Sequence, residues 1–213
     1  MILIQIVVKM NPQITIYISQ LNPADLNQER KAILQPLVAF LQKSTATKES
    51  IRLNFICTHN SRRSHLSQIW AQTMAHYFGI DKVSCYSSGT EATAVYPKII
   101  ETLQAVGFEI SAIQAATNSV YAIKFDANEA PIIGFSKTID APFNPQSEFA
   151  AIMTCTQADL GCPFVAGASV RISLPFEDPK AFDNSPDVLV HYEARSRQIA
   201  TELFYVFSQL KNN

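Results

Sequence analysis

Charge of either sign is scarce and nearly balanced. Only 16% of the 213 residues are Asp, Glu, Lys or Arg, and the formal net charge is −1. No global basic field is available to recruit nucleic acid or a membrane surface. Long apolar runs are missing as well. The first eight residues are apolar apart from Gln5, but such a run is far too short to span a bilayer. It also lacks the basic start and small-residue cleavage site of a secretory signal. Cysteine is sparse and clustered, with four in the chain, too few for the disulfide framework of a secreted scaffold. Thiols of this kind fit a reducing compartment and reactive roles, so the chain reads as cytoplasmic, with no nucleic acid and no membrane among its partners. What is abundant is core material: 47% of the residues are apolar, enough for one ordinary domain or one domain with an appendage.

The stretch that organises the rest is residues 51–70. A short apolar strand (Leu53, Phe55, Ile56) runs into Cys57. The sequence Thr58-His59-Asn60-Ser61-Arg62 follows, then Arg63 and Ser64, then Leu66, Ile69, Trp70, Met74 and Tyr77 at helical spacing. Strand, tight loop and helix in that order set the backbone N–H groups of residues 58–64 around one point, which is an anion cradle favoured by the positive end of the helix dipole. The same field favours a thiolate at Cys57. Arg63 can close the cradle with a planar, two-pronged donor, and Arg62 adds a second positive charge beside it. A Cys-x5-Arg spacing alone is weak evidence; the strand before it and the helix after it give it weight.

Around that stretch the chain alternates helices and strands. Asn11-Pro12 opens a helix carrying Ile14, Tyr17, Ile18 and Leu21, and Asn22-Pro23 ends it. A second helix is expected over residues 25–43, with Leu34, Leu37, Val38 and Leu41 on one face and a kink at Pro36. Residues 44–50 read as a linker. Residues 1–50 thus form an N-terminal helical extension, whose first nine residues are either a strand or a segment ahead of a start at Met10. Residues 51–213 form the catalytic domain. Strands are expected at 83–87, 150–154 and 170–174, a hairpin over 120–135, and helices at 97–106 and 188–210. This pattern argues for an α/β fold, a doubly wound and mostly parallel central sheet. Ligands of such sheets sit at the carboxyl ends of strands, where Cys57, Cys155 and residues 175–179 all fall.

Cys155 and Cys162 lie seven apart with Pro163 after them. That is not a zinc spacing, and no paired His is near; no metal site is expected. Two thiols on one mobile loop, with a third on the floor of an anion pocket, point to thiol–disulfide exchange. Cys85, inside an expected strand, reads as structural. Asp178-Pro179 supplies an acid on a rigid turn, placed to protonate a leaving oxygen.

The loop from Cys57 to Ser64, the run Ser87-Ser88-Gly89-Thr90-Glu91, the Cys155 and Cys162-Pro163 pair and Asp178-Pro179 resemble, in the same order, the thioredoxin-coupled arsenate reductases of the low-molecular-weight protein tyrosine phosphatase superfamily. The resemblance covers about residues 51–210. It implies a relay in which Cys57 attacks arsenate held by the loop and Arg63, and Asp178 protonates the departing oxygen. Cys155 then releases arsenite by forming Cys57–Cys155, and Cys162 resolves this to Cys155–Cys162. No cofactor is bound; thioredoxin, or a reductant of that type, is the implied partner.

The chain departs from the pattern in places. His59 stands where glycine is common, so its side chain narrows the pocket or demands an unusual backbone angle. Gln68 stands where many members carry a Glu potassium ligand. Residues 113–150 are longer than in compact members and read as a flap or an interface. His65 and His76 read as solvated or packed. Two other readings stay open: a phosphatase whose Cys155 and Cys162 protect its nucleophile from oxidation, and a non-catalytic sensor of arsenate or phosphate, or an interaction module, carried by the N-terminal helices.

Overall fold

The computed structural model describes residues 10–210, so the apolar start and any strand over residues 1–9 lie outside the described part. Two helices come first, α1 (Pro12–Ser19) and α2 (Gln28–Ala46), each capped by an asparagine whose side chain accepts a first-turn N–H. Then follow β1 (Ile51–Cys57), α3 (Arg63–Tyr77), β2 (Val83–Gly89), α4 (Pro97–Val106), β3 (Glu109–Gln114), β4 (Val120–Lys124) and β5 (Ile132–Gly134). The chain closes with β6 (Phe149–Met153), α5 (Thr156–Gly161), β7 (Ala168–Ser173) and α6 (Val188–Ser208). The expected helices and strands are found within a few residues of their expected ends, and the fold is the α/β one that alternation implied.

The main sheet has the order β2-β1-β6-β7, and all its pairings are parallel. β1 is buried on both faces, and its side chains divide between two clusters. Leu53 and Phe55 enter the large core with Trp70, Leu203 and Phe207 of α3 and α6. Ile56 and Cys57 join a smaller cluster with Ala151, Met153 and Ala158. The helical extension belongs to the large core: Ile14, Ile18, Leu34, Leu37 and Leu41 are fully buried there. Residue 50 is therefore not an edge of the hydrophobic interior.

The expected hairpin is present as β4 and β5, but β3 makes it a three-stranded antiparallel sheet. The reason β3 escapes sequence reading is burial: nearly all its residues are exposed, so it has no apolar alternation to reveal it. Among the described residues no helix is long and apolar enough to cross a membrane.

Candidate active site

Cys57 ends β1 and Arg63 opens α3, so five residues must reverse the chain. Asn60 makes the turn. Its φ of +43° lies in the left-handed region, which asparagine tolerates through local hydrogen bonds. Its Nδ2 donates to Ser64 Oγ at 2.8 Å, and its Oδ1 accepts the Lys137 backbone N–H at 2.9 Å. The loop carbonyls are then engaged in succession. Cys57 O accepts from Thr90 N–H at 3.2 Å, Thr58 O from Glu91 N–H at 2.8 Å, and Ser61 O from Tyr96 N–H at 3.0 Å. His59 O takes the Thr93 and Ser136 hydroxyls, and Asn60 O pairs with His65 Nε2 at 2.9 Å. In a trans peptide the N–H points opposite to the C=O. Carbonyls spent on these partners leave the amides of the same run to line the hollow.

Two buried groups fix this shape. Gly89 of β2 passes so close that a Cβ would stand 2.5 Å from Glu91 O, 2.6 Å from Asn60 N and 2.7 Å from Thr58 O. His65 is wholly buried, and desolvation first, then Lys137, holds its pKa down to about 3. It is neutral, donating from Nε2 to Asn60 O and accepting the Ser87 hydroxyl at Nδ1, 3.2 Å away. The Cys57 sulfur lies 3.1 Å from Ser64 Oγ at the floor.

Arg63 reaches across the hollow. It donates to Phe176 O at 2.9 Å and to Asp178 Oδ2 at 2.5 Å, so loop arginine and expected acid face each other. Asp178 is held on its turn by the Lys180 N–H, 3.0 Å from Oδ1. Arg62 turns away, toward Tyr192 and Asp183; its charge is spent there rather than added to the cradle.

Cys155 follows β6. Its sulfur caps α5 by accepting the Ala158 N–H at 3.3 Å and lies 3.5 Å from Thr58 Oγ1. Cys57, Cys155, Ala158 and Val165 share the smaller cluster, and Cys162 packs against it. All four thiols are free. Cys85 lies in the main core, where burial pushes its pKa far up, as a structural thiol should be. Of residues 155–162, read as a mobile loop, Thr156–Gly161 form the short helix α5, with Cys155 and Cys162 as its caps. Arg171 of β7 holds it, pairing with the Asp159 carboxylate at 2.7 Å and donating to Cys162 O at 2.9 Å.

Other expectations resolve at the side-chain level. His59 does not carry the unusual backbone angle; Asn60 does. The His59 ring lies 3.7 Å from the exposed Glu91 carboxylate. Gln68 is buried and donates to Cys85 O and Ile133 O. His76 lies beside Asp126 and Glu129 and against Phe125, a packed histidine. Sequence reading gave no role to Lys137, Asp183 or Tyr192. Each owes its place to a tertiary partner, and nothing local in the sequence marks it.

A cysteine and an arginine on one oxyanion loop, at the carboxyl end of a parallel strand and facing an acid turn, define a cysteine-nucleophile oxyanion-handling fold. The low molecular weight phosphotyrosine protein phosphatase family matches residues 52–127, which include Cys57, Arg63 and Gly89 but not Cys155, Cys162 or Asp178. Among curated proteins, "Arsenate reductase 2" of Staphylococcus epidermidis is 30% identical over 125 residues, 59% of this chain and 76% of the relative. "Arsenate reductase" of Bacillus cereus strain Q1 is 30% identical over 125 residues, 59% of this chain and 74% of that one. A solved low molecular weight phosphotyrosine phosphatase from Vibrio cholerae O395 superposes with a TM-score of 0.50 at 13% identity, covering 76% of this chain and 97% of that one; it shows the shared fold. The chain belongs to the low molecular weight phosphotyrosine protein phosphatase family, as an enzyme whose curated relatives are named arsenate reductases.

Proposed function

We propose that this enzyme reduces arsenate to arsenite through Cys57, Cys155 and Cys162. The supporting observation is that Cys57 and Cys155 share one small cluster at the ends of β1 and β6 and Cys162 packs against it, while the fourth cysteine lies elsewhere. The oxyanion binds the loop amides and takes the Arg63 fork, which frees Asp178. The Cys57 thiolate displaces an oxygen from arsenic(V), and Asp178 gives that oxygen its proton. The Cys155 thiolate then attacks the Cys57 sulfur. The sulfur–arsenic bonding pair stays on arsenic, arsenite leaves, and Cys57–Cys155 forms. Attack of Cys162 on the Cys155 sulfur frees Cys57 and leaves Cys155–Cys162. An external dithiol protein of the thioredoxin type, in a reducing cytoplasm, removes the last disulfide. Leu160 and Phe164, both largely exposed beside Cys162, offer that protein an apolar contact.

The test is arsenite release with thioredoxin supplied as reductant. Cys57→Ser, Cys155→Ser and Cys162→Ser should each abolish multiple turnover, and Cys85→Ser should retain it. Equal turnover in Cys162→Ser and wild type would remove the relay. A second reading, an aryl phosphatase, is favoured by the facing of Arg63 and Asp178 across the cradle. Under it, Cys162→Ser leaves hydrolysis of p-nitrophenyl phosphate intact, and the wild type releases no arsenite.

A further inference from the structure

The two adjacent arginines of the loop diverge, yet both end on one turn. Arg63 meets Asp178; Arg62 meets Asp183, five residues on, with Nη2 2.5 Å from Oδ2. Between the two acids lies only the single 3-10 turn Pro179–Phe182, begun by proline and capped by Asp178, a short and stiff spacer. Arg62 Nε also donates to the Tyr192 hydroxyl at 2.5 Å, and its guanidinium lies 4.1 Å from the centre of the Tyr96 ring. The Tyr192 hydroxyl donates to the other Asp183 oxygen at 2.6 Å. Burial pushes that hydroxyl's pKa up, which keeps it a donor. Tyr192 is itself buried on α6 and stacks on Tyr96, centroids 5.5 Å apart, while the Tyr96 N–H holds Ser61 O. One end of this network is fastened to the oxyanion loop and the other to the longest helix.

We propose that Arg62, Asp183 and Tyr192 form a latch that fixes the acid turn against the oxyanion loop, making Arg62 and Asp183 positioning residues for Asp178 rather than ligands of the anion. The latch rests on the reading of Cys57 and Asp178 as the reacting pair. Its geometry carries two consequences. The side chain of Arg62 contributes little to anion affinity, because its charge is already paired. Loss of the pair lets the turn drift, and a proton donor displaced by about 1 Å loses rate without losing substrate.

Asp183→Asn keeps the shape and removes the charge; Arg62→Gln removes the fork; Arg62→Lys keeps the ion pair and serves where Arg62→Gln does not fold. Tungstate, a dianion at neutral pH, reports cradle affinity without turnover. All three variants should bind it within about threefold of wild type, whereas Arg63→Gln should lose about tenfold or more. For whichever of arsenate and p-nitrophenyl phosphate the wild type turns over, kcat should fall about tenfold in Asp183→Asn with KM unchanged, and less in Arg62→Lys. The Asp183 and Ser185 amides should exchange faster with solvent. Two results overturn the latch: Arg62→Gln losing tungstate as Arg63→Gln does, or Asp183→Asn keeping both kcat and amide protection. A wild type that turns over neither substrate defeats the proposed function instead, and the tungstate and exchange measurements still decide the latch.

Discussion

Lys137 lies behind the oxyanion loop with its ammonium 4.4 Å from the Phe135 ring centre, 5.3 Å from that of Phe143 and 3.3 Å from Phe135 O. Among the described residues no carboxylate pairs with it within 4.0 Å. Burial lowers its pKa from the ordinary 10.5 to about 7. The unfolded chain holds this proton up to about pH 10.5, while the folded one releases it from about pH 7. Stability therefore rises with pH across that window, and the cost of the buried charge is fully present below pH 7. Lys137→Met should be more stable than wild type by roughly 3–5 kcal/mol at pH 6, with the gap closing toward pH 10. Urea unfolding at pH 6, 8 and 10 measures this, and a gap that stays constant with pH contradicts it. Neither the burial of Lys137 nor its place beside Asn60 is legible in Phe135-Ser136-Lys137-Thr138. The loop from Cys57 to Arg63, by contrast, is legible because its chemistry is local: one strand end, one helix start and the residues between.

At the scale of elements, α5 is the part the sequence hides. Its cap is a cysteine and its anchor, Arg171, comes from β7, so residues 155–162, with Leu160 their one large apolar side chain and Gly161 near the end, show no apolar periodicity and read as a loop. The helix matters to the chemistry. Cys155 and Cys162 bracket it, and at 1.5 Å rise per residue seven residues place their Cα atoms about 10 Å apart. A disulfide needs Cα atoms roughly 4.4–6.8 Å apart. The second exchange of the proposed relay therefore requires α5 to unwind, which is feasible for six residues with only Ala158 buried. In the oxidised protein the Asp159 and Cys162 amides, bonded to Cys155 O and Ala158 O in the reduced form, should lose their protection. Hydrogen exchange on the reduced and oxidised forms reads this directly. Retained protection in the oxidised form would show that the pair does not close.

Across the whole molecule, the N-terminal helices do more than cover a face. Arg30 of α2 pairs with both carboxylate oxygens of Glu202, at 2.9 and 2.7 Å, and donates to Pro175 O at 3.1 Å. Glu202 is 1% exposed. The Arg30 guanidinium also stands 5.0 Å from the Phe176 ring centre, and Phe176 O in turn receives Arg63. The extension thus supports the stem of the acid turn from behind. Arg30→Met leaves the buried Glu202 charge unpaired and should cost about 3–5 kcal/mol, read as a lower urea midpoint. A change under 1 kcal/mol would show that α2 is not coupled to this stem. The apolar stripe of α2 was legible; the buttress was not, because its partners lie over 140 residues further along the chain.

In the proposed relay, three sulfurs gathered at one end of the sheet carry two electrons to arsenic and then pass the oxidation outward. Mass spectrometry of the fully reduced chain after arsenate treatment, before any reductant is added, tests it most directly. The expected result is one Cys155–Cys162 disulfide and one arsenite released per chain, with Cys57 and Cys85 still free. Four free thiols with no arsenite, or a disulfide that includes Cys85, would contradict it.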